Sequence, residues 1–350
     1  MIEEKEFSLA ISAKNNFDFL RLLFALSVLI NHFGLLTNNP IYWPISSPMA
    51  VSGFFIISGF LITKSYYRST SLKEYYIKRI KRIVPAYVMI VIACAIGLSI
   101  FSNLPFSVYF TSNSFVKYLL ANLGFLNFIQ PTLPGVFASN PDSFVNGALW
   151  TIKVEIALYL CVPVFAELIR RIKPKWTVFV AIYLVSFCFI LLMNHLADEN
   201  GNGIYSILNR QFLGQLTYFV SGMLLLFYFD FFQRNIKWFI SLAIVVLIIK
   251  FGFDNNNVIK FLFPISFCII IISIAYHFKP LNNVAKYGDI SYGVYLFHYP
   301  IIQIFYSVGL FNQNLWTGFV LCLLTVILCA FLSWHLLEKR ILNRQFSIIK

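Results

Sequence analysis

Charge is scarce in this chain. Asp, Glu, Lys and Arg make up only 12% of its 350 residues, about half of the ~25% found in ordinary soluble domains. That deficit excludes a water-soluble globule of this length, because too little polar side chain is left to wrap one. Paired cysteine motifs are also missing. Cys94, Cys161, Cys188, Cys268, Cys322 and Cys329 all fall inside apolar runs and form no C-x-x-C pair. They read as small buried hydrophobes, and zinc, haem and iron–sulfur signatures are excluded. G-x-S-x-G, H-E-x-x-H and P-loop patterns do not occur, which removes the hydrolase, zinc-protease and nucleotide-loop readings those motifs carry. No metal and no permanently bound cofactor is expected. There is no internal repeat. The opening MIEEKEFSLAISAKNN has mixed charge, and no small-residue cleavage site follows the first apolar run, so that run reads as a retained helix and not a signal peptide.

What the chain has is apolar surface: 59% hydrophobic residues, 39 of its residues Phe, and a mean hydropathy of +0.77. The apolar runs, such as Trp238 to Phe253 and Leu315 to Leu337, are long and do not alternate. A spanning helix needs about 20 such residues, whereas a barrel strand needs about ten alternating ones. The fold class is therefore an all-α polytopic membrane bundle. Ten spans are expected, at 17–36, 46–64, 83–101, 144–169, 176–194, 210–229, 236–252, 258–278, 289–308 and 315–337. The stretch 115–129 is apolar but short, and reads as an eleventh span or as an interfacial or re-entrant helix.

Loop charge orients the bundle. With ten spans and a cytoplasmic N-terminus, 21 of the 27 basic residues fall on inside segments and four on outside segments, while Arg21 and Lys153 lie within spans. An eleventh span at 115–129 would put the later basic loops outside. Both termini are thus expected in the cytoplasm: a cytoplasmic arm over 1–16, a membrane domain over 17–338 and a cytoplasmic tail over 339–350. The net charge of +13 reflects this orientation and contact with anionic headgroups, not nucleic acid.

An ionisable residue within a span costs at least ~2.5 kcal/mol and needs a partner, water or a task. In FDFLRLLFALSVLINHFGLL, Arg21 and His32 stand eleven residues apart. At about 100° per residue they share one helix face, about 16 Å apart along the axis. Asp18 is one turn before Arg21. The Ser-Gly pairs Ser52-Gly53 and Ser58-Gly59 suit close helix packing. KEYYIKRIKRIVP is either a topogenic anchor or a site for an anionic ligand such as phosphate. GALWTIKVEIALYLCVP buries Glu155 beside Lys153, and two residues of separation point them to different faces. GDISYGVYLFHYP puts Ser291, Tyr295 and His298 on one stripe, with Pro300 kinking the helix beyond it. His195, His277 and His335 sit near span ends. These residues describe a polar cavity reaching from a basic cytoplasmic mouth towards the outer face. They leave open a pore, a transporter or an enzyme.

Taken in order, FDFLRLLFALSVLINHF, GFFIISGFLI, KRIKRIVP, LWTIKVEIALYLCVP, ISYGVYLFHYP and LLEKR resemble the acyltransferase-3 family of membrane O-acyltransferases over nearly the whole chain. That family has a ten-helix core. Its Arg-x10-His pair corresponds to Arg21 and His32, and its Arg-x-x-Arg motif to Arg79 and Arg82. Its Trp-Ser-Leu-x-x-Glu segment corresponds to Trp150 through Glu155, departing at Thr151 and Ile152. Some relatives carry a hydrolase-like extracytoplasmic domain, and ending at Lys350 this chain resembles the stand-alone form. The resemblance implies transfer of an acyl group, often acetyl from acetyl-CoA, to a hydroxyl of an envelope polysaccharide or its lipid-linked precursor at a bacterial inner membrane. It implies His32 as general base, with Arg21 and Glu155 also catalytic. Arg79 and Arg82 would hold the donor's phosphates, and Tyr295 and His298 would bind acceptor or stabilise the oxyanion. The alternatives are a transporter or flippase of a lipid-linked sugar or acyl carrier, and a scaffold whose polar residues only pack helices.

Overall fold

The computed structural model describes residues 15–252, 256–278 and 288–343. The expected N-terminal arm lies outside the described residues except for Asn15 and Asn16, and so does the tail beyond Asn343. Among the described residues the chain is helical, with no β-strand. The helices are α1 (Phe17–Thr37), α2 (Ser47–Tyr67), α3 (Leu72–Gly97), α4 (Phe106–Thr111), α5 (Asn113–Leu123) and α6 (Trp150–Arg171). Then come α7 (Trp176–Asn200), α8 (Gly203–Asn209), α9 (Phe212–Phe227), α10 (Phe229–Arg234), α11 (Ile236–Gly252) and α12 (Asn257–His277). α13 (Ser291–Ser307), α14 (Leu310–Gln313), α15 (Leu315–Ser333) and α16 (Lys339–Asn343) complete the described chain.

Six of these are long and apolar enough to cross a bilayer: α1, α2, α3 with its extension to Phe101, α7, α12, and α15 continued to Asn343. The other expected spans also form helices. α6 has 22 residues but carries Lys153, Glu155 and a charged last turn. α9 has 16 residues, and α11 and α13 have 17 each. The stretch 115–129 contributes to α5, whose 11 residues extend only about 16 Å, half the ~30 Å hydrocarbon core. α3 begins well before its expected start because LKEYYIKRIKRI continues the helix ahead of the apolar run.

α15 shows which solvent the outer surface meets. It buries Gly318, Cys322, Val326, Ala330 and Ser333 and exposes Trp316, Val320, Leu321, Leu324, Leu328, Phe331 and Leu332. Small residues inside and large apolar ones outside is the pattern of a helix packed among helices in lipid.

The chain divides into two compact units, one of Met1–Leu20, Val51–Tyr75 and Val154–Val284, the other of Arg21–Ala50, Tyr76–Lys153 and Ala285–Lys350. In the first, α7 packs on α9 and α11 on α12. Here α2 and α9 touch backbone to backbone. A Cβ at Gly59 would collide with the Phe219 carbonyl, and one at Gly222 with the Ile56 carbonyl, so the Ser58-Gly59 pair serves the close approach its small residues suggest. Asn16 closes the end of α12, its backbone N–H donating to the Ala275 carbonyl at 2.8 Å and its side-chain amide to the Ile274 carbonyl at 2.9 Å. These bonds satisfy carbonyls that a helix end leaves orphaned. In the second unit α13 packs on α15, and Gly293 lies against Ala330, where a Cβ would come within 2.8 Å.

Candidate active site

The second unit holds two of the expected site histidines in direct contact. His32 Nδ1 lies 2.8 Å from His298 Nε2, and the rings stack with centroids 5.1 Å apart and planes 21° from parallel. His298 Nδ1 is 3.2 Å from the Val294 carbonyl oxygen, four residues back on α13. These contacts fix the tautomers of a neutral pair. A carbonyl only accepts, so His298 Nδ1 carries the hydrogen and Nε2 the lone pair. His32 Nδ1 must then donate, which leaves His32 Nε2 as an unprotonated base. His298 is fully buried, while His32, taken as a whole residue, is only partly buried.

At the other end of the same face, Arg21 Nη1 stands 3.7 Å from Asp289 Oδ2. Arg21 and His32 both face α13 and the residue leading into it, as their eleven-residue spacing requires. The contacts run in the same order on both segments, so α1 and α13 are parallel and clasped at two levels about 16 Å apart.

Asp289 is the centre of an ionic cluster. It also pairs with Arg82 and accepts from the Ser291 hydroxyl and N–H. Arg82 Nη1 lies 3.5 Å from Glu338 Oε2, whose other oxygen accepts from Ser333 Oγ at 3.0 Å. The Arg82 guanidinium sits 5.7 Å from the Tyr292 ring centroid and 5.6 Å from that of Trp334. The helix widens to π pitch over Trp334–Glu338, which turns Glu338 inward to near-complete burial. Gly288 has φ 127° and packs beneath Trp334; a side chain there would be both strained and crowded. Arg79 lies half-buried one turn before Arg82 on α3.

The stretch Asn140 to Thr151, leading into α6, is stitched along α13. Tyr299 Oη donates to Asp142, and Gln303 Nε2 donates to the carbonyls of Asp142 at 2.6 Å and Phe144 at 2.9 Å. Asn140 Nδ2 donates to Gln303 Oε1 at 2.8 Å. Asn146 Nδ2 donates to the Leu296 carbonyl at 2.9 Å. Tyr295 Oη is 3.1 Å from the Ala148 carbonyl oxygen and 2.8 Å from Thr151 Oγ1. Thr151 stands where the resembling pattern has Ser, and it keeps the hydroxyl that makes this bond. Gly147 lets the backbone meet the Tyr299 ring, since a Cβ would lie 2.9 Å from it. Tyr299 in turn stands edge-to-face against His32, with centroids 5.4 Å apart.

Glu155 belongs to the first unit. It accepts from Ser58 Oγ at 3.3 Å and from the Tyr159 hydroxyl, and Tyr75 Oη donates to the Tyr159 carbonyl at 2.9 Å. Lys153, in the second unit, places its ammonium 4.2 Å from the Phe128 ring centroid.

Sequence reasoning singled out His32 and His298 without pairing them, and passed over Asp289, Glu338, Asp142, Asn146, Tyr299 and Gln303. Gln303 carried a usable signal: it is an amide inside an apolar run and needs four partners. Asp289 and Glu338 lie at the ends of apolar runs, where a charge attracts no notice.

An all-α membrane protein with a stacked imidazole pair between two parallel helices is the class these features define. The chain belongs to the acyltransferase-3 family: residues 14–334 match the family described as an acyltransferase domain. It is a membrane acyltransferase. It is similar to nodulation protein 10 of Rhizobium leguminosarum bv. viciae, 26% identical over 96% of this chain and 95% of that one. It is also similar to the O-acetyl transferase of Shigella phage Sf6, 28% identical over 94% of this chain and 96% of that one. O-acetyltransferase OatA of Staphylococcus aureus is 26% identical over 94% of this chain, which spans 57% of OatA. No solved structure matches.

Proposed function

We propose that this protein is an O-acetyltransferase that moves an acetyl group from cytoplasmic acetyl-CoA to a hydroxyl of an envelope polysaccharide or its lipid-linked precursor, with His32 as the general base. The observation that carries the reading is the hydrogen-bond chain from the Val294 carbonyl through His298 to His32. It leaves the lone pair of His32 Nε2 as a proton acceptor. In the step proposed, the acceptor hydroxyl gives its proton to His32 Nε2 as its oxygen attacks the thioester carbonyl. The tetrahedral intermediate then expels the thiolate, which recovers the proton from the imidazolium. The products are an O-acyl ester and free CoA thiol. His298 takes the orienting role, the one the third member plays in a hydrolase triad.

The ionic cluster suits the donor's anionic end. Arg21, Arg79 and Arg82 lie on the segments nearest the basic loop, and guanidinium forks match phosphate oxygens. Asp289 and Glu338 balance Arg82 when donor is absent. The orientation with both termini in the cytoplasm puts this cluster on the donor's side, and the names of the phage and staphylococcal relatives favour acetyl as the group transferred.

The test compares membranes holding matched amounts of folded wild type and His32→Ala, given labelled acetyl-CoA and envelope glycolipid. Base-labile label in the glycan is expected with wild type and should fall by about 10²–10⁴-fold with His32→Ala, the contribution of a positioned base. Full transfer by His32→Ala would end the reading. Movement of glycolipid across the membrane without label would favour the transporter.

A further inference from the structure

Pro300 sits inside α13, two residues past His298. Proline has no N–H, so the carbonyl four residues back, that of Leu296, loses its helical donor. An orphaned buried carbonyl is costly and is almost always met by another group. Here the donor comes from outside the helix: Asn146 Nδ2 reaches the Leu296 oxygen at 2.9 Å. The same side chain accepts the Ala148 N–H through Oδ1 at 3.2 Å, and Asn146 is itself buried. One amide therefore fills the gap in α13 and fixes the start of α6. The turn it completes, Leu296 to Pro300, carries both His298, which bonds His32, and Tyr299, whose ring stands against His32.

We propose that Asn146 is a positioning residue for the transfer reaction: by supplying the hydrogen bond that Pro300 cannot make, it holds the His298 turn at the pitch that keeps His298 Nε2 on His32 Nδ1. This rests on the reading of His32 as the base. The requirement is specific. Asn146 matters because residue 300 is a proline, and restoring an N–H there makes the amide dispensable.

The experiment is a double-mutant cycle of Asn146→Ala and Pro300→Ala in the full-length membrane protein, with Asn146→Asp as a variant that keeps the Ala148 acceptor and removes the donor. Two readouts are taken: kcat and donor KM for acetyl transfer, and the rate at which diethyl pyrocarbonate modifies His32, followed by mass spectrometry. With Pro300 present, Asn146→Ala and Asn146→Asp should each lower kcat by at least about tenfold, the scale of an ångström-level misplacement, and leave donor KM within about twofold. Modification of His32 should slow by at least about threefold, because donation to a second acceptor raises imidazole basicity. In the Pro300→Ala background, Asn146→Ala should change neither readout by more than about twofold. His32 modification that is unchanged by Asn146→Ala, or a loss that Pro300→Ala fails to relieve, would overturn the proposal. If modification follows the expected cycle while His32→Ala still transfers acetyl, Asn146 positions the pair as proposed and the base reading is what falls.

Discussion

An imidazole that bonds to a second imidazole has its tautomer chosen by whatever holds the second one. At this scale the consequence is kinetic. His298→Ala should lower kcat by about 10²-fold with little change in donor KM, because it removes orientation and not ground-state binding. A rise in KM at unchanged kcat would instead return His298 to the substrate-binding role that the resemblance implies. Arg82 invites a different measurement. It bridges Asp289 and Glu338, so Arg82→Ala removes the cation these two carboxylates share, leaving Asp289 the longer contact to Arg21, and should cost about 3 kcal/mol of stability, read as a loss of thermal tolerance in detergent. Arg82→Lys should recover little of it, because an ammonium cannot fork between two acids. Legibility at this scale followed polarity. Arg21, His32, Glu155 and His298 stood out as polar residues in apolar runs. Asp142 and Asn146 lie in a loop where polar residues are ordinary, and their partners on α13 are some 150 positions away, beyond any local pattern.

Among the elements, helix identity was readable because a long apolar run has few alternatives to a helix in lipid. Boundaries were less so. The expected start of the fourth span at 144 falls inside the stretch that is stitched to α13, and α6 itself begins at Trp150. Those six residues are apolar enough to extend the run, yet Asn146 and Gly147 are committed to contacts outside it. The crossing of α2 with α9 makes a firm demand on side-chain size. Gly222→Val should destabilise the protein by 3 kcal/mol or about that, the upper range for overpacking, since the obstacle is backbone and cannot step aside. Thermal aggregation of detergent-solubilised variants checks this, and Gly201→Ala, where nothing lies within 4 Å but φ is 59°, gives a control in which only backbone strain contributes. That Pro300 takes a donor out of its helix was legible; that a distant asparagine bonds the Leu296 carbonyl was not.

For the whole molecule, the expectation that matters most is orientation. In a background with the six native cysteines replaced, a membrane-impermeant thiol reagent added outside intact cells should label Lys117→Cys and spare Lys237→Cys. Both positions are exposed. The reverse result would invert the bundle and put the arginine cluster on the side opposite the donor proposed above. The parallel run of α1 and α13 adds a constraint of another kind, that of parity. Two parallel crossings must be separated by an odd number of crossings, or the second would start on the wrong side. Only four of the long apolar helices, α2, α3, α7 and α12, lie between them, an even number. If α13 crosses, as its apolar run leads one to expect, and these four do too, parity calls for one or all three of α6, α9 and α11 to cross as well. All three crossing agrees with the loop-charge count, whereas a further crossing at 115–129 would break it. Two imidazoles in contact and one arginine–aspartate pair thus limit how often the intervening chain can traverse the bilayer.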